Sequence, residues 1–431
     1  MIARISLLTL FSCAAFQGCA VSPAKPASPV YDHSFTVYWP PGNSKQVRVA
    51  VKDAIDMKGV VTSSGSQYLA KHSAPAARDA ECLRGARERK VLFVGKTNLT
   101  EFALGTTGMN DYFGTPRNYL NPKTRLIPGG SSSGSAVAVA NGHADIAFGT
   151  DTAGSIRVPA ACCGILGLKT TLHLISLKGV SPISPDHLDT VGPMARDIPH
   201  LVEGMDLLKP GFAAQYRETV SASRSPRNIR IGRLYIPGTD PAVDQAIDEA
   251  LAARGFQVVK LDQRFVEQWA EAKKYGRAIA LADGYRNLQQ YLTEPGVTAP
   301  TKATILLGRV EEGSYADDLA ALARWQRELR RVFRRVDFIA LPTLRTLPPR
   351  VPHFVRIALF EQQVFDLQNT MAVNFAGNPA LAIPVPIQNQ QVPVTSLQLV
   401  GPKLSEAKLI NVARMIDGKH ETARIARSAG R

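Results

Sequence analysis

The sequence predicts an α/β fold: a single large mixed β-sheet covered by helices on both faces. Short runs rich in Val, Ile, Leu and Phe alternate along the chain with longer segments of helical character, and such alternation is typical of a sheet with helices packed against it. The chain has 431 residues, of which 45% are hydrophobic and 20% are charged. This composition is that of a globular protein and excludes a wholly disordered chain.

The elements follow from apolar runs and their lengths. In the first part of the chain we predict strands at 47–51, 91–94 and 144–148, a helix at 75–89, and a buried helix rich in Ala and Val at 135–141. In the later part we predict strands at 338–341, 380–386 and 397–400 and a closing helix at 405–416. No long linker interrupts residues 40–418, so residues 35–418 are expected to form one domain.

The N-terminus has the pattern of a targeting signal. A short basic start is followed by an apolar run from Ile5 to Phe16, which has the length of a signal-peptide core. Because Gly18-Cys19 closes this run as in a bacterial lipobox, we predict a signal peptide over 1–19, possible lipidation and membrane attachment at Cys19, and an exported location in the periplasm or on the membrane. A plain cleaved signal and a cytoplasmic start are the alternatives. Residues 20–34 are predicted to be a tether and residues 419–431 a basic tail.

The chain carries a net charge of +15, which raises the question of a nucleic-acid partner. The densest basic stretch has apolar residues at helical spacing, and no nucleic-acid-binding motif accompanies it. We therefore expect an exposed helix face and no nucleic-acid partner. The six arginines of this densest basic stretch are Arg324, Arg327, Arg330, Arg331, Arg334 and Arg335.

Two loops rich in glycine and serine carry the strongest chemical signal. The first runs from Gly129 to Ser135 and the second from Gly149 to Ala160. Small residues allow the backbone to approach a ligand closely and leave N–H groups free to face an anion. Because apolar neighbours flank both loops, they indicate an oxyanion site within a folded core and not a linker.

Other motifs fit these residues less well. Gly130 to Gly134 matches G-x-S-x-G, but no strand-like run precedes it, as a nucleophile elbow requires. Gly95-Lys96-Thr97 resembles the end of a P-loop, but Lys90 occupies the position of the first glycine. The histidines show no metal-ligand spacing. We therefore predict no metal and no cofactor.

Taken together, the chain resembles the amidase signature family. The matching stretches occur in the order of the family across about residues 47–418, and the serine loop is most similar to indoleacetamide-hydrolase-like members. They are Val51–Asp53, Gly95–Phe102, Gly129–Ser132, Gly149–Ala160, Gly164–Thr170, Asp189–Pro193, Leu341–Thr343, Ala376–Leu381 and Gln398–Gly401.

The resemblance implies a triad of serine, cis-serine and lysine that hydrolyses a carboxamide. Ser155 matches the nucleophile, Ser131 the bridging serine held by a cis peptide, and Lys52 the base. The expected oxyanion donors are the backbone N–H groups of Thr152, Ala153, Gly154 and Ser155. Alanine at 153 and serine at 133 stand where the family often has glycine, which bears on the size of the substrate.

The chemistry of this triad requires an unusual lysine. A serine hydroxyl needs a neighbouring base, and lysine serves as a base only when it is neutral. Its pKa must therefore fall by about three units from its ordinary value of about 10.4. Burial beside Val49 and Val51 is the kind of desolvation that lowers it.

Two segments of the chain are candidates for the walls of the substrate pocket. Its walls are expected from Thr106–Asp111 and from Phe354–Met371, with Met109, Asn110 and Phe365 as candidate substrate-binding residues. Phe360, Phe365 and Met371 are expected to line an apolar cleft, and core packing is the equal alternative for all three. The alternatives to an amidase are a non-catalytic amidase-like binding module, an esterase with a histidine-based triad and an amidotransferase-type subunit. The sequence leaves open the amide, its leaving group and the oligomeric state.

Overall fold

The computed structural model describes residues 32–223, 225–352, 357–389 and 391–417. The predicted signal peptide, Cys19 and the basic tail lie outside these residues. Asp32 and Ser34 fall within the range predicted as a tether, but both are fully buried, and Asp32 accepts a hydrogen bond from the His143 ring at 2.8 Å. The folded part therefore begins before residue 35.

Within the described residues, eleven strands form one mixed sheet in the order β1-β3-β2-β4-β6-β5-β10-β11-β9-β7-β8, which confirms the predicted fold class. The strands are β1 (Phe35–Tyr38), β2 (Arg48–Lys52), β3 (Leu92–Thr97), β4 (Ile146–Asp151), β5 (Leu166–Lys169), β6 (Thr190–Ala195), β7 (Arg230–Arg233), β8 (Gln257–Lys260), β9 (Phe338–Pro342), β10 (Ala380–Pro386) and β11 (Val394–Val400).

Helices cover both faces of this sheet. They are α1 (Gln67–His72), α2 (Arg84–Glu88), α3 (Ser133–Ala140), α4 (Arg157–Cys163), α5 (Ile198–Leu208), α6 (Phe212–Ser221), α7 (Pro241–Ala252), α8 (Gln263–Leu288), α9 (Ala299–Glu311), α10 (Tyr315–Val332), α11 (Ile357–Leu367), α12 (Met371–Ala376) and α13 (Glu406–Asp417). Alternate residues of β9 enter different clusters, since Phe338 and Ala340 pack with α5, α7 and α13 whereas Ile339 and Leu341 pack with α8, α10 and α12. This alternation is the period of a strand that is buried on both sides.

The helix predicted at 75–89 is much shorter in the structure. Residues 75–80 are not helical, and only α2 and the 3₁₀ turn Glu81–Leu83 remain of the predicted helix. The backbone of this segment bonds to a neighbouring loop instead: Ala76 N–H donates to the Val60 carbonyl at 3.0 Å, and Ala80 N–H to the Asp56 carbonyl at 2.9 Å. Long-range pairing has replaced the local helical bonds.

The basic stretch has the exposed face that its spacing predicts. It covers the second half of α10 and the turn that follows, and all six of its arginines are exposed.

Cys82, Cys162 and Cys163 are buried and free. No helix in the described part of the chain is both long enough and apolar enough to cross a membrane.

Candidate active site

The site lies where two parallel strands end. β2 and β4 are neighbours, with Val51 opposite Phe148, so Lys52 and Thr150 reach the same edge of the sheet. Lys52 follows the alternation of β2 and therefore shares a face with Ala50, which packs against Ala136 and Val137 of α3. The serine loop that precedes α3 is thereby held over Lys52. In open α/β sheets such carboxyl-terminal edges commonly bind ligands.

Lys52 is fully buried and contacts two hydroxyl groups. Its Nζ donates to Ser131 Oγ at 2.7 Å and to Thr150 Oγ1 at 2.7 Å. Burial lowers the pKa of Lys52 to about 7, against the opposing attraction of the Asp151 and Asp189 carboxylates. A substantial fraction of this amine is therefore neutral near pH 7.

Ser131 and Ser155 lie on adjoining loops. The Gly130–Ser131 peptide is cis, as the resemblance implied. Ser132 N–H donates to the Ser155 carbonyl at 3.1 Å, which ties the two loops together. The Ser155 hydroxyl itself makes no hydrogen bond to another described residue, so the structure contains the Lys52–Ser131 contact but no hydrogen bond between Ser131 and Ser155.

The turn from 152 to 155 presents backbone N–H groups that bond to no acceptor among the described residues. Two side chains hold this turn from behind. Thr370 Oγ1 donates to the Ala153 carbonyl at 2.5 Å, and Thr152 Oγ1 donates to the buried Asp189 carboxylate at 2.6 Å. Because a peptide carbonyl and the following N–H point in opposite directions, the bond from Thr370 aims the Gly154 N–H away from Thr370.

A buried ion pair fixes the start of α4 just after Ser155. The side chains of Arg157 and Asp151 both have 0% relative exposure, and their atoms approach to 2.9 Å. Burial disfavours ionisation of the carboxyl group, but the adjacent guanidinium holds the pKa of Asp151 well below its ordinary range. The remaining Arg157 donors are satisfied by Thr370, Asn374 and Gln398. This network joins the turn to α12 and β11.

A cavity of about 250 Å³ opens beside Ser155. Met109, Asn110 and Phe365, the candidate substrate-binding residues, all line it, and so does Met371. Phe360 instead belongs to a core cluster with Ile127 and Val158. The first residues of the predicted wall, 354–356, lie outside the described chain. No histidine lines the cavity among the residues that are described, which disfavours a histidine-based triad.

The wall residues differ in what they offer a ligand. Both ends of the Asn110 amide are occupied by backbone groups: its Nδ2 donates to the Gly65 and Leu99 carbonyls at 2.8 Å each, and its Oδ1 accepts from two N–H groups. Asn110 therefore shapes the wall. Sequence reasoning did not single out Thr150, Asp189, Glu361, Arg277 or Thr370. Thr150 and Asp189 lie inside stretches that carried the resemblance, and Glu361 and Thr370 lie inside the predicted pocket wall.

Comparison with known proteins agrees with the geometry. The family model described as Amidase matches residues 42–410. The chain is 32% identical over 410 residues to a glutamyl-tRNA(Gln) amidotransferase subunit from Halobacterium salinarum, covering 86% of this chain and 94% of the relative. It is also 32% identical over 387 residues to the 2-amino-5-chloromuconic acid deaminase of Comamonas testosteroni, covering 86% and 80%.

A solved structure described as an amidase superposes with a TM-score of 0.71 at 25% identity, covering 86% of this chain and 84% of that one. The family match spans most of the chain, and the serine loops and Lys52 all lie within it. The prediction of an amidase is thus confirmed at the level of the family, and this chain belongs to the amidase family of amide-cleaving enzymes.

Proposed function

We propose that this protein hydrolyses a carboxamide to a carboxylate and ammonia or an amine through an acyl-enzyme on Ser155. The single observation that carries the proposal is the fully buried Lys52, hydrogen-bonded to Ser131 at 2.7 Å beside the loop that bears Ser155. Such a lysine can be neutral at physiological pH and can act as a base.

In the first half-reaction, neutral Lys52 takes the proton of Ser131 as Ser131 takes that of Ser155. Ser155 Oγ then bonds to the amide carbon, and N–H groups of residues 152–155 stabilise the negative oxygen that develops. The C–N bond breaks as the proton returns from Lys52 through Ser131 to the leaving nitrogen. The Ser131 and Ser155 hydroxyls must come within hydrogen-bond distance once substrate is bound, and catalytic contacts are often longer in unliganded enzymes.

In the second half-reaction, water replaces the amine. Lys52 and Ser131 remove a proton from the water as its oxygen attacks the acyl carbon, and the ester bond to Ser155 breaks with return of that proton to Ser155 Oγ. The carboxylic acid leaves, loses its remaining proton to solvent to become the carboxylate, and the enzyme is restored. Because the base must start neutral, kcat/KM is expected to rise with pH and to reach half its maximum near pH 7, where Lys52 titrates.

A fluorophosphonate probe followed by peptide mapping tests the nucleophile. We expect label on Ser155 in the native chain and none in Ser155→Ala. Ser133→Ala is a matched control, because the buried Ser133 hydroxyl has no hydrogen-bond partner among the described residues and its removal therefore breaks no hydrogen bond. Label on Ser132 in place of Ser155 would overturn the assignment.

A second candidate is a subunit of an amidotransferase, which the name of the Halobacterium salinarum relative favours. The two candidates differ in what the isolated chain can do. A hydrolase releases ammonia from a simple amide by itself, whereas a transferase subunit needs a partner and an acceptor. Ammonia release by the purified chain alone, abolished in Ser155→Ala, supports the hydrolase.

We also propose export, with lipidation at Cys19, on the pattern of residues 1–19. Metabolic labelling with palmitate should mark the native chain and leave Cys19→Ala unlabelled. A mature chain that begins elsewhere and carries no lipid contradicts lipidation, and an unprocessed N-terminus in the cytoplasm contradicts export.

A further inference from the structure

The cavity beside Ser155 contains a cation without a carboxylate partner. Arg277 of α8 lines it together with Ser155. Its guanidinium donates to Gln362 Oε1 at 3.0 Å and lies 5.6 Å from the centroid of the Phe365 ring. Among the described residues no carboxylate lies within ion-pair distance of Arg277. A guanidinium has five N–H donors, so most of its hydrogen-bonding capacity is left for a ligand.

The acids that line the same cavity are engaged elsewhere. Glu101 and Glu361 are each held by neighbouring hydroxyl or N–H donors, so neither carboxylate is free to pair with Arg277. Burial raises the pKa of Glu361, against the hydrogen bonds that it accepts. Asp111 also lines the cavity but is exposed, where solvent and salt weaken its field. The donors to Glu101 are Ser66, Thr298 and Thr301, and those to Glu361 are Thr106 and Thr107.

The rest of the wall is mostly apolar. Leu104, Ala280, Leu281, Leu307 and Met371 line the space between these polar groups. A mainly apolar wall with a few placed polar groups is the usual arrangement of a site that orients a small ligand, and here Arg277 is the charged group that no carboxylate pairs with among the described residues. The guanidinium is also restrained by Gln362 and Phe365, so little conformational freedom is lost when it binds an anion.

We propose that this cavity selects amides that also carry a carboxylate, separated from the scissile carbonyl by an apolar segment, and that Arg277 binds this carboxylate. The inference rests on the proposed hydrolysis for the reaction and adds the class of substrate. A planar guanidinium fits a carboxylate with two parallel hydrogen bonds. The carboxylate can belong to the acyl part or to the amine part of the amide, and both present the same group to Arg277.

The test compares pairs of amides of equal shape. In one series a monoamide of a dicarboxylic acid, of increasing chain length, is paired with the alkanamide in which an isopropyl group replaces the carboxylate. In the other series an N-(carboxyalkyl) amide is paired with its N-alkyl counterpart. We expect the native enzyme to show a higher kcat/KM for the charged member in one series, which identifies the side that Arg277 contacts.

Variants then assign the preference to Arg277. Arg277→Met is expected to lower kcat/KM for the charged member by about tenfold to a hundredfold, the range of a hydrogen bond to a charged group, and to leave the neutral member unchanged. The loss should appear mainly in KM, because the contact is made equally in ground and transition states. Arg277→Lys should recover part of the preference. Arg264→Met, an exposed position on the same helix, is the control for loss of one positive charge and should change neither member.

Two results would overturn the inference: a native preference for the neutral member in both series, or an equal loss for both members in Arg277→Met with an unchanged melting temperature. If Arg277→Met does not fold, the Arg277→Lys variant and the substrate preference of the native enzyme still test whether Arg277 binds the carboxylate. Hydrolysis of neutral amides with label on Ser155 would leave the proposed function standing while the substrate class fails.

Discussion

Replacing Lys52 by methionine should abolish hydrolysis and, at low pH, make the protein more stable. Burial lowers the pKa of Lys52 from its ordinary value of 10.5 to about 7. At about 1.4 kcal/mol per pH unit, the difference between these values corresponds to a cost of about 5 kcal/mol for keeping the ammonium buried. Methionine has a similar length and no charge, so it removes this cost.

The difference in stability between the native protein and Lys52→Met depends on pH, and the titration of Lys52 sets the direction of the change. Below pH 7 the amine is protonated in both folded and unfolded chains, and the full cost is present. Between pH 7 and 10.5 the folded chain has lost this proton while the unfolded chain keeps it, so the free energy of unfolding of the native protein rises by about 1.4 kcal/mol per pH unit from this group. Lys52→Met lacks this rise.

The loss of two hydrogen bonds, to Ser131 and Thr150, offsets the gain by about 1 kcal/mol each. The variant should therefore be more stable than the native protein by about 3 kcal/mol at pH 6, and this advantage should shrink by about 3 kcal/mol between pH 7 and 9. Urea unfolding followed by circular dichroism at pH 6, 7, 8 and 9 measures the stability difference at pH 6 and its change with pH. A difference between the two proteins that stays constant over this range would refute the lowered pKa and, with it, the neutral base.

Three further changes probe the same site. Thr370→Val removes the hydroxyl that donates to the Ala153 carbonyl and should lower kcat by about tenfold or more with little change in KM, while Thr370→Ser restores it; an unaltered kcat would show that this bond does not position the turn. Gly154→Ala places a Cβ at 2.2 Å from Thr370 Oγ1 at a φ of +134°, so both the melting temperature and the rate of probe labelling should fall, and normal values in both assays would contradict the tight packing. Lys169→Met removes a second buried lysine and should leave labelling of Ser155 in place, whereas Lys52→Met should lose it; loss of labelling in folded Lys169→Met would mean that Lys52 is not the sole base.

The parts of the site that could be predicted from sequence are those whose local pattern reflects their burial. β2, β4 and β10 read as apolar runs because they are covered on both faces, and the predicted bounds of β10 match the structure. The serine loops stood out because small residues are concentrated there. Lys52, Ser131 and Ser155 could be singled out from the resemblance, and the structure brings Lys52 and Ser131 into contact.

The side chains that hold the turn could not be found in the same way. Thr370 and Ala153 are 217 positions apart in the chain. The local sequence around a threonine at the start of a short helix does not indicate which distant residue it will contact. Arg277 is similar, since its place in α8 predicts only a half-buried polar residue. Such contacts depend on how α8, α11 and α12 cross the end of the sheet, which is set by packing and not by local pattern.

Lys52 and Lys169 are two of the three fully buried lysines of the described chain, and comparing them shows what suits a buried amine to catalysis. Lys52 and Lys169 both have 0% exposure, and burial lowers the pKa of each to about 7. Lys169 donates to the backbone carbonyls of Thr170 and Asn378, and a carbonyl oxygen can accept a hydrogen bond but has no proton to give. The partners of Lys52 are hydroxyl groups, which can donate as well as accept. Desolvation therefore makes either amine available in its neutral form, but only at Lys52 does the neutral nitrogen face a group whose proton it can take.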